Sequence, residues 1–142
     1  MNEHRLLEVL SEATACAECS IAHASGGPSK CPLETSAYSA GDVIYTENDP
    51  ADRIWFIRSG VVTIGHEGAT SASIALKNSI IGTDCLVADK RTSSARAATD
   101  VQLCAMSKEE LLQWLGNDKE RLRIVIDAAM TDPDVVDQID KL

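Results

Sequence analysis

The stretch YSAGDVIYTENDPADRIWFIRSGVV, residues 38–62, sets the architecture. Two short apolar runs, Val43–Thr46 and Ile54–Arg58, stand between turn residues. The turns read as Ala40-Gly41-Asp42, Glu47-Asn48-Asp49-Pro50 and Ser59-Gly60. Gly, Asn, Asp and Pro supply the backbone angles that reversals need, so the runs between them read as strands. The same rhythm continues through Val61–His66, Ala72–Ala75, Ser94–Ala98 and Gln102–Met106, with Glu67-Gly68 as a further turn. Regularly spaced short strands of this kind predict a barrel, sandwich or jelly roll.

The flanks of this β segment read differently. Upstream, Leu6, Leu7, Leu10 and Ala13 share one helical face, which predicts a short helix over residues 3–13. The following run, CAECSIAHASGGPSKCPLE, is rich in Cys, Gly, Ser and Pro and reads as a loop without regular structure. Downstream, Ser107 and Glu110 form a capping box ahead of a helix carrying Leu111, Leu112 and Leu115, which Gly116 can end. Asp118 can cap the next helix, with Leu122, Val125, Ile126, Ala129 and Met130 in one stripe. That stripe suits packing on its own domain or a dimer seam. Asp132-Pro133 stops it and opens a last short helix. The division expected is 1–35 for the N-terminal helix and cysteine loop, 36–107 for the β segment, and 108–142 for the C-terminal helices.

Composition narrows the possible functions. The chain has 142 residues, 44% of them hydrophobic, enough for a packed core. Thirteen basic against 22 acidic residues give a net charge of −9, which disfavours direct nucleic-acid binding by this chain, since such binding rests on neutralising phosphates. No apolar stretch approaches the roughly 18 residues of a membrane span. With no signal peptide in view, the expected location is the cytoplasm, where thiols stay reduced. No P-loop, Ser–His–Asp set or paired-carboxylate motif stands out, and the three histidines are scattered, so an enzyme is not expected.

The cysteines are Cys16, Cys19, Cys31, Cys85 and Cys104. Cys16 and Cys19 form C-x2-C, a spacing that lets two thiolates converge on one metal, and Cys31 follows after eleven residues. Soft thiolates select zinc, copper(I) or iron–sulfur clusters, and a 4Fe–4S cluster takes four. Spacing alone leaves zinc, with His23 as a further ligand, and iron–sulfur both open. Cys85 and Cys104 lie in apolar strand contexts, where a buried thiol is the ordinary state.

The order of residues 38–62 resembles the cyclic-nucleotide-binding β-roll: an aromatic, then Gly41, then Ile44, an acidic turn at Glu47-Asn48-Asp49, and a strand ending in Ile57-Arg58-Ser59-Gly60. It is similar to the sensor half of the CRP/FNR regulators. Cys16-Ala-Glu-Cys19-Ser-Ile21, Cys31-Pro32, Gly82-Thr-Asp84-Cys-Leu86 and Ala98-Thr-Asp100-Val-Gln-Leu-Cys104 resemble segments of the FNR-type sensors.

The resemblance implies a mainly β fold with flanking helices: a double-stranded β-helix, or jelly roll, followed by C-terminal helices. It implies a 4Fe–4S cluster on Cys16, Cys19, Cys31 and Cys104, with Cys85 spare and zinc as the alternative. It implies an oxygen, nitric oxide or redox sensor working through association. The partner would be a second copy, a full-length CRP/FNR-type regulator or another signalling protein. Two departures stand out. The gap before Cys31 carries HASGGPS, and no helix-turn-helix pattern is present. Nucleotide-binding members hold the phosphate with an Arg-Ser/Thr pair, matched here by Arg91-Thr92, and the ribose with a Glu after a Gly. Thr83 follows Gly82 instead, so cyclic nucleotide is not expected to bind, and Arg91 reads as a solvated loop cation.

Overall fold

The structure, a computed structural model, describes residues 19–26, 31, 33–68, 70 and 72–141. The chain divides into two compact units, Met1–Pro32 and Leu33–Leu142. In the first, helix α1 spans Ser20–Ala24. This corrects the expectation of a loop without regular structure. Ile21, Ala22 and Ala24 accept helical angles, Cys19 caps the start with extended backbone, and the helix stops just before Gly26, whose φ is 99°. The expected helix over residues 3–13, together with Cys16, lies outside the described residues.

The second unit is built of eight strands: β1 Glu34–Tyr38, β2 Val43–Tyr45, β3 Arg53–Ser59, β4 Val62–Gly65, β5 Ser73–Ala75, β6 Ile80–Ile81, β7 Ser94–Ala97 and β8 Val101–Ser107. They form two antiparallel four-stranded sheets, ordered β1-β8-β3-β6 and β2-β7-β4-β5. This is the jelly roll expected, with strands β1 and β6 added to the six predicted. Neither shows in the pattern: β1 is ETSAY, mostly exposed and polar, and β6 is two residues long.

The core lies between the sheets. Tyr45, Trp55, Ile57, Val62, Ala95, Val101, Leu103 and Ala105 belong to it. Val101, Leu103 and Ala105 alternate along β8, so Gln102, Cys104 and Met106 face the other side. Gly60 closes the β3–β4 turn at φ 94°, where a side chain would run into the Asp100 carbonyl and Val101.

Helices follow β8. α2, Lys108–Leu115, begins at the predicted capping box: the Glu110 amide donates to Ser107 Oγ (3.1 Å) and the Ser107 amide to Glu110 Oε1 (3.4 Å). It packs against β3 and β8 and buries Leu111, Trp114 and Leu115, while Leu112 is exposed. α3, Lys119–Ala129, is capped by Asp118, and α4, Pro133–Asp140, by Asp132. The α3 stripe divides: Val125 and Ala129 are buried, whereas Leu122, Ile126 and Met130 are 46%, 47% and 54% exposed. No helix among the described residues is long and apolar enough to cross a membrane.

Candidate functional site

Between β6 and β7 the chain makes a 3-10 turn, Thr83–Leu86, and returns through Arg91. Gly82 opens the turn at φ 85°. A Cβ there would lie 2.9 Å from the Arg53 carbonyl oxygen, 3.0 Å from Trp55 Cε3 and 3.1 Å from Arg91 Nη1, so the position admits only glycine. The backbone of Arg91 is clamped to the β2–β3 turn, its amide donating to the Asp49 carbonyl (2.7 Å) and its carbonyl accepting from Asn48 (3.0 Å).

Arg91 is not a solvated loop cation; it is 2% exposed, and the expectation is corrected. Burying a guanidinium requires partners for its charge and its N–H groups. Nη1 donates to Asp84 Oδ1 (2.6 Å) and to the Gly82 carbonyl (2.9 Å), and Nη2 to the Arg53 carbonyl (2.6 Å). The guanidinium carbon lies 4.5 Å from the Tyr45 ring centre and 5.1 Å from that of Trp55, two rings stacked 5.3 Å apart. Asp84, 1% exposed, also accepts at Oδ2 from the Thr92 amide (2.9 Å) and the Thr92 hydroxyl (3.3 Å). Among the described residues, the buried Arg91 Nε has no hydrogen-bond partner, and Ser93 lies beside the Tyr45 phenol. Burial pushes the Tyr45 phenol up, and the nearby Asp84 carboxylate adds to this.

Beside this cassette a cleft of about 550 Å³ is lined by Ile64, Ile74, Ile80 and Thr83 from the roll and by Thr131 and Asp132 from the α3–α4 link. Burial raises the Asp132 carboxyl. At its rim His66 bridges two carboxylates, Nδ1 to Glu47 Oε1 (2.8 Å) and Nε2 to Asp134 Oδ1 (3.0 Å). The Glu47 hydrogen bond, and then the Asp134 charge, raise the His66 pKa. No local pattern marks this bridge, because its members are 19 and 68 residues apart. Asp84 and Arg91 are seven residues apart, and a Gly-x-Asp turn before an Arg is the signal that could have paired them.

The cysteines occupy distinct settings. Cys19 caps α1 and is buried, and Cys31 is half-buried. Cys104 lies mid-β8 opposite Thr35 of β1 and Phe56 of β3, on the face turned from the inter-sheet core, with its Sγ 3.7 Å from Thr35 Oγ1. Cys85 sits fully buried in the 3-10 turn, and burial pushes its thiol up to about 11. A ligand must be a thiolate, so Cys85 is a poor one.

A β-roll of two four-stranded antiparallel sheets with a Gly-turn-Arg cassette defines the cyclic nucleotide-binding class of regulatory domain. The cyclic nucleotide-binding domain family matches residues 35–118, more than half of the chain, and the chain belongs to it. A CRP-like cAMP-activated global transcriptional regulator of Mycobacterium tuberculosis is 27% identical over 95 residues, which cover 62% of this chain and 42% of that protein. The chain thus spans about two-fifths of the length of this relative. Among solved structures, the N-terminal domain of a transcriptional regulator from Streptomyces coelicolor A3(2) superposes with a TM-score of 0.62 at 21% identity, covering 82% of this chain and 90% of that one. The EAL enzyme Bd1971 does so with a TM-score of 0.55 at 21% identity, covering 67% and 89%. At this identity both likenesses speak for the fold. The chain is a cyclic nucleotide-binding-like module related to the CRP-type regulators.

Proposed function

We propose that this module senses through its cysteines, as a holder of a 4Fe–4S cluster on Cys16, Cys19, Cys31 and Cys104. The observation that carries the reading is the setting of Cys104, mid-β8 on the face turned from the inter-sheet core, whereas Cys85 is enclosed in the 3-10 turn with its thiol pushed up. Four thiolates are the donor set such a cluster takes. When bound, the cluster would supply iron that reacts with oxygen or nitric oxide.

Output through association is supported by the exposed row Leu122, Ile126 and Met130 on α3, four residues apart. Such a row can seat a second copy, a full-length CRP/FNR-type regulator or another signalling protein. The expected setting is the cytoplasm, without direct nucleic-acid contact by this chain. Anaerobic purification with iron and sulfide analysis tests the reading. Wild-type protein and Cys85→Ser should carry iron and acid-labile sulfide in equal amounts, and Cys104→Ser should lose them. A colourless protein holding zinc, or no metal, would sink it.

A second reading rests on the cleft of about 550 Å³ beside Gly82 and Thr83, a size that suits a small ligand. In that reading the chain is a nucleotide-binding-like module with structural zinc or no metal. Titrating metal-free and metal-loaded protein with cyclic AMP separates the two readings.

A further inference from the structure

We infer that Asp84 is the chain's own ligand for the anion site formed by Arg91 and Thr92, and that this carboxylate makes the roll unresponsive to cyclic nucleotides. The inference is independent of the cluster. Three donors converge on the one carboxylate: Arg91 Nη1 at 2.6 Å, the Thr92 amide at 2.9 Å and the Thr92 hydroxyl at 3.3 Å. A guanidinium, a backbone N–H and a hydroxyl are the donors that recognise a phosphoryl oxygen. Both ions are almost fully buried, at 1% and 2% exposure, so no bulk solvent competes for the site.

The site is larger than Asp84 needs. Among the described residues, the buried Arg91 Nε has no hydrogen-bond partner, a donor that the carboxylate does not satisfy. A groove of about 670 Å³ is lined in part by Arg91 and Thr92. An anionic ligand there meets a cation already neutralised. It would also face Glu47, Asp89, Asp134 and Asp137, which line the groove, with only Lys90 and His66 to offset them. A diffusible phosphate therefore has to displace a tethered carboxylate whose effective concentration is far higher.

The test uses chemical rescue on the full chain. Asp84→Ala should lower the melting temperature by about ten degrees or more, since it strands a buried cation. Inorganic phosphate or formate, at constant ionic strength against chloride, should restore several degrees of that loss, rising with the logarithm of anion concentration. Wild-type protein should show no such anion dependence and no shift with cyclic AMP. The double variant Asp84→Ala/Arg91→Met should melt near the wild type and ignore the anions. If Asp84→Ala does not fold, Asp84→Asn keeps the shape and should be more stable in phosphate than in chloride. An Asp84 variant indifferent to both anions overturns the inference, and so does a wild-type protein stabilised by cyclic AMP.

Discussion

Two ionic links in the β-roll unit use the same chemistry and do opposite work. Arg91 and Asp84 meet inside the cassette, each no more than 2% exposed. His66 meets Glu47 and Asp134 at the cleft rim, with half its side chain in solvent. The buried pair has no water to fall back on, so each partner obliges the other, and the pair is structure. The surface bridge is screened and easily replaced by water, so it contributes little and can titrate. Burial, more than distance, separates a fixed element from a responsive one here.

The largest effect expected from breaking this contrast is at Arg91. Arg91→Met leaves Asp84 buried and uncompensated and should cost about 3–5 kcal/mol in urea unfolding. A loss under about 1 kcal/mol would mean that the pair is more hydrated than its burial indicates. Gly82→Ala comes next. It forces a side chain onto positive φ against the Arg53 carbonyl and should cost about 1–3 kcal/mol, read in the same assay.

On the outside of the unit, Ile126→Glu should change folding stability by no more than about 0.5 kcal/mol. It should weaken any self-association measured by sedimentation, because Ile126 stands 47% exposed in the α3 row.

His66→Gln should have a small effect, about 0.2–1 kcal/mol at acidic pH. Its pH dependence has a definite sign. The folded-state pKa is raised, so the protonated bridge contributes fully below the ordinary histidine value of about 6.5. That contribution is lost as pH rises through the higher folded value. The wild type should therefore exceed His66→Gln in stability at about pH 5.5 and approach it as pH rises through the raised folded-state value.

Most of the roll was legible in the sequence because turn chemistry is local. Gly41, the Asn48-Asp49-Pro50 turn, Gly60 and the Ser107 capping box declared six strands and the start of α2 within a few residues each. Strand β1 was not legible. Its five residues face mostly outward and are held in place by pairing with β8, some 70 residues away. Helix α1 was hidden by the glycines and prolines around it.

In the candidate site, Arg91-Thr92 was visible as a pair, but its burial was not. That burial depends on Tyr45, Trp55 and the Arg53 carbonyl, brought from two other strands. The cysteine spacing pointed to a metal without choosing it. Cys85 was set aside by resemblance, and its buried position in the 3-10 turn now gives a physical reason.

The contrast also locates the input. In the proposed reading, a cassette filled by Asp84 would leave the cysteines to respond to oxidants or gases. The most direct measurement of that claim is the visible absorption spectrum of anaerobically purified protein, before and after exposure to air. The protein should be brown, with a broad charge-transfer band that fades in air and is absent in Cys104→Ser. A protein colourless from the start, with zinc or no metal bound, would contradict it.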